Sequence, residues 1–378
     1  MVDQVSNKHF ENLLECFGKL TVRSSDFDEL KEFLNNHYET PEILIRGVET
    51  QNEFIVKLLL DQQLDINYQD YKGNTALHYA AQLDSNEILN LLLENGADVE
   101  ILNGEEETAL QMAVLSGKVQ NYETLAKVTS DQTLNKNKSN KTLLHLAVIG
   151  GNYQLVEKFS KNVEMLILED NICETPLSWA ITILKNEEIS KFLLTKVLDC
   201  GFQSIINDDI VDTVLRFGWV DHYILLRKYA RIIPEDKLYV AIWSGNVELF
   251  KIVLNEDFTY YNTELNHYKI FKNIIREGNY EMCKYLIEAG FDIHATDRYN
   301  NTPLHYSAEN GRCDIFDLLV KQGANPNAFN NNSETPICIA VNLIYQGNGE
   351  HDEMMIDAIE ECMKSHTCDN DCFDKFYF

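Results

Sequence analysis

The chain has 378 residues, with 60 acidic against 32 basic side chains and a formal net charge of −28. Phosphate binding needs a basic stripe, so this balance excludes nucleic acid as the expected partner; it favours a protein partner with a basic surface, or acidic faces that are simply solvated. No run approaches the roughly 20 apolar residues of a membrane helix, and residues 1–19 lack the basic and apolar regions of a signal peptide, so the expected location is the cytoplasm, with no membrane contact.

Residues 1–37 read as a helical N-terminal cap. Two amphipathic stretches, 9–17 and 26–34, have the polar outer face that a terminal unit needs, and Ser24 or Ser25 can cap the second. Residues 41–67 look like a degenerate first repeat, with Ile55, Leu58, Leu59 and Leu60 on its outer helix.

The clearest unit spans 70–102. Asp70-Tyr71-Lys72-Gly73-Asn74 is a turn in which Gly73 supplies a positive φ at low cost. Thr75 caps a first helix whose Leu77, Ala80 and Ala81 face the neighbouring units. A second helix carries Ile88, Leu91 and Leu92 on one stripe, and Gly96 ends it. Such a unit cannot bury its own apolar stripe and needs a copy on either side. The capping threonine recurs as Thr75, Thr108, Thr142 and Thr175, and again as Thr302 and Thr335, in steps of 33 or 34 residues. Five residues before each stands Asp70, Asn103, Asn137, Asp170, Asp297 or Asn330, side chains that hold a turn by bonding their own backbone. Gly117, Gly151 and Gly311 mark the turn between paired helices; in the fourth repeat Leu184 takes that place, and the outer helix starts one residue late. The second repeat lacks a typical outer-helix stripe, and the polar stretch 128–141 reads as a longer finger or loop.

Thr75-Ala-Leu-His78, Thr142-Leu-Leu-His145, Thr302-Pro-Leu-His305 and Thr335-Pro-Ile resemble the T-P-L-H signature of ankyrin repeats, and Gly96-Ala-Asp and Gly323-Ala-Asn resemble its closing G-A-D. The resemblance covers most of 41–364. It implies an all-α ankyrin-repeat solenoid of stacked helix-turn-helix units with short β-hairpin or turn fingers. It also implies a non-catalytic protein–protein interaction scaffold or adaptor without a cofactor. The family's signature histidine bonds threonine and backbone and ties adjacent turns, which is the role implied for His78, His145 and His305.

Between 198 and 297 the signature disappears while helix pairing persists, at 209–217 with 220–229, 237–243 with 247–254, and 268–276 with 280–288. Gly245-Asn246 and Gly278-Asn279 keep the period. The short step from Gly218 to Gly245 predicts a bend or twist near Pro234. In the repeat at 297–329, Asn300 fills the turn-glycine position, which Asn tolerates well. The last repeat begins at Asn330, with an expanded turn at 346–350 and a capping helix expected at 354–364. The organisation expected is therefore a cap at 1–37, N-terminal repeats at 38–203, degenerate helix pairs at 204–296, C-terminal repeats with a capping helix at 297–364, and an acidic tail at 365–378.

Candidate chemistry is sparse. Cys173, Cys283, Cys313 and Cys338 fall at repeat-scale intervals and read as small buried hydrophobes in a reducing compartment. Cys362, His366, Cys368 and Cys372 match no zinc spacing, and free thiols are the expected state. There is no phosphate-cradling glycine loop, no H-E-x-x-H and no G-x-S-x-G; an enzyme would need an unrecognised site in 203–261 or in the tail. Function is expected on the concave surface, at positions free of the repeat's structural demands: Tyr71, Lys72, Asn74, Tyr79 and Gln82, and their counterparts Arg298, Tyr299, Asn301, Tyr306 and Glu309. Tyr and Arg often anchor interfaces, although each of these residues also reads as an ordinary exposed one. The chain alone is expected to be a monomer. Eroded repeats of this type also occur in bacterial effectors and viral host-range proteins, so the alternative is a pathogen protein that captures a host factor. Viral members often end in an F-box-like segment that recruits a ubiquitin ligase, but residues 349–378 carry no L-P-x-E-type start.

Overall fold

The structure, a computed structural model, describes residues 42–62, 64–130, 136–229 and 237–345. The expected cap at 1–37, the turn at 346–350, the capping helix at 354–364 and the tail at 365–378 lie outside these. The chain divides into two units, Met1–Ile205 and Ile206–Phe378.

In the first unit an inner and an outer helix alternate. The pairs are Ile43–Glu49 with Glu53–Leu60, Ala76–Ala80 with Glu87–Glu94, Ala109–Leu115 with Val119–Leu125, and Leu143–Ile149 with Tyr153–Phe159. A fifth inner helix, Pro176–Ser178, continues into a π-helical turn, Trp179–Ile183, ahead of the outer helix Glu187–Asp199. The second unit pairs Asp208–Arg216 with Val220–Tyr229, Lys237–Trp243 with Val247–Glu256, Glu264–Glu277 with Tyr280–Glu288, and Pro303–Glu309 with Cys313–Lys321, and it continues into Pro336–Tyr345. Within each unit successive inner helices pack on one another and on their own outer helices. Ala80, Ala113, Ala147 and Ala180 are wholly buried there, small enough to let helices approach closely. Among the described residues there are no strands; the fingers close as turns, not as β-hairpins.

Each inner helix that carries the signature histidine opens with the same polar knot. In the third repeat His145 is wholly buried; its Nδ1 accepts from Thr142 N at 3.2 Å, and its Nε2 lies 3.1 Å from the Glu174 carbonyl of the next repeat. A carbonyl only accepts, so Nε2 carries the proton and the ring is neutral. His78 and His305 repeat the arrangement with Glu107 and Glu334. The role implied for the three histidines is the one they have.

Several outer helices start on a capping asparagine. Asn152, Asn246 and Asn279 each accept a helix-start N–H through Oδ1, and their Nδ2 groups donate to the carbonyls of Gly117, Gly218 and Gly245 in the preceding turns. One side chain thus caps its own helix and joins two repeats.

Four expectations are corrected. Leu89, not Leu91, joins Ile88 and Leu92 in the buried stripe of Glu87–Glu94. The second repeat does have an outer helix, Val119–Leu125, sealed by Tyr122 and Leu125 and by buried Asn121, which donates to the carbonyls of Ala81 and Leu83. In the fourth repeat the positive-φ turn residue is Lys185 (φ 55) rather than Leu184, because the π-helical turn inserts one residue. Of the four repeat-spaced cysteines only Cys283 and Cys313 are buried; Cys173 is exposed at a finger, and Cys338 is disulfide-bonded.

Candidate interaction surface

Each finger is fixed from within and from its neighbour. Asp70 N donates to Asn74 O at 2.9 Å, and the Asp70 carboxylate accepts from Lys72 N and Asn74 N. The next finger then docks on this one: Gly104 N donates to Lys72 O at 2.8 Å. The same backbone bond joins Lys138 to Glu105, Asn171 to Ser139, and Asn331 to Tyr299. Gly73, with φ 78, lies so close to that junction that an added Cβ would sit 2.7 Å from Gly104 N. The corresponding φ is positive at Glu106, Asn140, Cys173, Asn300 and Ser333, so the finger geometry overrides residue preference.

Below the tips runs a ladder of side-chain bonds. Asn103 donates to Asn74 Oδ1 at 3.0 Å, Asn137 to Glu107 Oε1 at 2.7 Å, and Asn330 to Asn301 Oδ1 at 3.0 Å. The Asp at the finger base also takes a proton donor from the inner helix nine residues on. Tyr79 donates to Asp70 Oδ2 at 2.7 Å, Trp179 to Asp170 Oδ2 at 2.9 Å, and Tyr306 to Asp297 Oδ2 at 2.6 Å. Burial, and then the bond to Asp70, pushes the Tyr79 phenol up to about 12. Burial alone would raise the Asp297 carboxyl, but the donors Tyr306, Asn301 and Tyr299 N–H outweigh it and hold the group below the usual range.

The ten residues expected to face a partner therefore separate. Tyr71 is 88% exposed, with the Lys72 ammonium 5.5 Å from its ring centroid. Tyr299 is 52% exposed under the Arg298 guanidinium at 4.7 Å. Glu309 is exposed, and Gln82 is half-buried with its amide on His78 O. The expectation that Asn74, Tyr79, Asn301 and Tyr306 are free of structural demand is corrected: they are rungs of the ladder, and Tyr306 is only 3% exposed. The spacing of nine from the finger-base Asp was visible in the sequence and is the signal that separates them. Exposed apolar groups that the sequence does not single out include Ile172 at the fourth finger (62% exposed) and Trp243 at the end of an inner helix (57%).

Among the described residues of 203–261, an ionisable cluster around Glu256 is closed on itself. Glu256 accepts from Tyr223, from Arg227 at 2.9 Å and from Lys237 at 3.2 Å. Among the described residues no group of three or more His, Cys, Asp or Glu could hold a metal ion, and no helix is long and apolar enough to cross a membrane. The cluster of Cys362, His366, Cys368 and Cys372 lies outside the described residues.

A chain of stacked inner and outer helices with capped, backbone-clamped fingers belongs to the class of helical repeat proteins. The family model for ankyrin repeats matches residues 11–103, 44–133 and 238–330, more than half of the chain, and the protein belongs to the ankyrin-repeat family. It is similar to alpha-latroinsectotoxin-Lt1a of Latrodectus tredecimguttatus, 26% identical over 318 residues, 78% of this chain and 22% of that protein. It is also similar to the ankyrin repeat protein FPV219 of Fowlpox virus, 27% identical over 253 residues, 65% of this chain and 52% of the relative. A third relative, a transient receptor potential cation channel subfamily A member 1 homolog of Caenorhabditis elegans, is 36% identical over 107 residues, 28% of this chain and 8% of that protein. The chain thus spans less than two thirds of each relative's length.

Proposed function

We propose that the chain is a non-catalytic adaptor that holds a protein partner on its finger tips. The observation that carries this reading is the pairing of an exposed aromatic ring with a cation on a clamped finger, at Tyr71 with Lys72 and at Arg298 with Tyr299. Rings held in place bind with a lower ordering cost than mobile ones. The fingers' rungs keep Asn74, Tyr79, Asn301 and Tyr306 as supports of the tips, not as contacts. The chain acts as a monomer in the cytoplasm, and its net charge of −28 suits a partner with a basic surface.

Affinity capture from cell lysate tests the reading. The parent should retain a protein that the double variant Tyr71→Ala, Tyr299→Ala loses, with the helical circular-dichroism signal unchanged. Full retention by the double variant, with loss instead on outer-helix changes, overturns it. A second reading, capture of a host factor by a pathogen protein, is favoured by the similarity to a viral ankyrin repeat protein, FPV219, of which this chain spans 52%. It predicts a partner from a host-cell lysate and none from a lysate of the source.

A further inference from the structure

We propose that the inner-helix face of the second unit, centred on Trp243, Lys272 and Arg276, docks an acidic protein segment bearing an aromatic or long aliphatic side chain. The inference rests on the chain being an interaction scaffold, and it is independent of the finger tips.

Trp243 closes the helix Lys237–Trp243. Its neighbours Leu238, Val240, Ala241 and Ile242 are buried, yet the indole is 57% exposed. The other two tryptophans are occupied: Trp219 is 8% exposed, and Trp179 donates to Asp170. The next inner helix, Glu264–Glu277, packs against the helix of Trp243. It carries Lys269, Lys272 and Arg276, which share one face because residues three and four apart are neighbours on a helix. Repeat register sets the two helices side by side. Trp243 and Arg276 each stand two residues before a positive-φ turn glycine, Gly245 and Gly278. Tyr239 and Lys272 correspond in the same way, and the Lys272 ammonium lies 4.8 Å from the ring centroid of Tyr306 on the following inner helix.

Among the described residues no carboxylate comes within ion-pair distance of Lys269, Lys272 or Arg276. By contrast, the exposed Arg216 of the same unit is held by Asp212 at 2.6 Å, and the buried Lys237 by Glu256 and Asp257. In a chain with 60 acidic and 32 basic residues an arbitrary face would be negative. Glu277 and Glu309 are exposed on these helices, and the charges of Asp297 and Glu309 act on the phenol of Tyr306, the ring that Lys272 covers. Cations without a carboxylate partner beside an open indole fit carboxylates together with one large apolar group, which a desolvated Trp anchors well. Three cations are too few to hold a polyphosphate against a net charge of −28, so the segment is protein rather than nucleic acid.

The probe is a labelled octapeptide of Asp and Glu with one central Phe, titrated against the full chain by fluorescence anisotropy and by tryptophan emission. Because Trp243 is the exposed tryptophan, saturable binding should shift the emission to the blue. Trp243→Ala, and separately Lys272→Glu with Arg276→Glu, should each weaken binding by about tenfold or more, the loss of a hot-spot anchor. Tyr71→Ala with Tyr299→Ala should leave it unchanged, which separates failure here from failure of the finger-tip reading. A variant that loses its circular-dichroism signal is replaced by Trp243→Leu, or by Lys272→Gln with Arg276→Gln. No saturable binding, binding that survives both sets of changes, equal binding of a Gly/Ser octapeptide, or tighter binding of a single-stranded DNA octamer would each overturn the proposal.

Discussion

At Gln111 the repeat's polar knot is incomplete. The side chain stands where His78 and His145 stand, and its Oε1 accepts from Thr108 N at 2.9 Å as their Nδ1 atoms do. Its Nε2 is buried without a partner, whereas the histidine Nε2 reaches a carbonyl one repeat on. A buried donor left unmade costs about 1–3 kcal/mol. Gln111→His should therefore stabilise the chain by about 1 kcal/mol, read as a higher urea midpoint at unchanged slope; a lower midpoint would mean that the ring does not fit. The histidines themselves predict acid sensitivity. Burial lowers the His145 pKa from 6.5 to about 4, and it lowers His78 and His305 in the same direction. The unfolded chain takes up these protons first. The stabilisation is complete above pH 6.5 and is lost as the pH falls through about 4. Melting temperature should fall across that window, and less steeply in His145→Gln, which is neutral throughout.

The element scale shows what the sequence made legible and what it did not. Helix pairing, the turn glycines and the threonine caps were readable because each rests on a local rule: apolar spacing, positive φ, or a side-chain acceptor at a helix start. The π-helical turn at Trp179–Ile183 was readable only as a one-residue delay, since nothing local marks where the extra residue is absorbed. The choice of Leu89 over Leu91 depends on which side the neighbouring helices lie, and a single helix's periodicity leaves that open by one position. Tyr306 reads from the sequence as a surface residue because a spacing of nine from Asp297 follows no local helix or turn rule, yet the finger brings the two into a hydrogen bond. Two measurements act at this scale. Glu106 holds φ 57 without being glycine, so Glu106→Gly should relieve about 1 kcal/mol of left-handed strain. Destabilisation by that change would show that the side chain holds the finger. Ala80 is wholly buried between helices, and Ala80→Leu should overpack it by about 1–3 kcal/mol. A change within about 0.3 kcal/mol would show slack that the burial does not suggest.

Over the whole molecule, net charge and local pairing act in opposite directions, and salt separates them. The net charge of −28 repels itself, and the repulsion falls as screening shortens. Raising NaCl from about 0.01 M to about 0.15 M contracts the Debye length from about 30 Å to about 8 Å. The ion pairs that salt would weaken are mainly exposed helix pairs such as Lys57–Glu53 and Lys321–Asp317, of the kind worth about 0.3–0.5 kcal/mol each. Lys141–Asp170, whose carboxylate is wholly shielded from solvent, is screened much less. Long-range repulsion should win, and the melting temperature should rise with salt at pH 7. A fall would mean that the surface pairs carry more stability than their exposure allows. The acid response tests the same balance. Protonating carboxylates reduces the repulsion while the histidines lose their stabilisation, so the two partly cancel at low salt. At about 0.5 M NaCl, where screening has already removed most of the repulsion, the histidine effect stands alone. The drop between pH 6.5 and 4 should then be larger at high salt than at low salt. An equal drop at both would show that the net charge contributes nothing to stability.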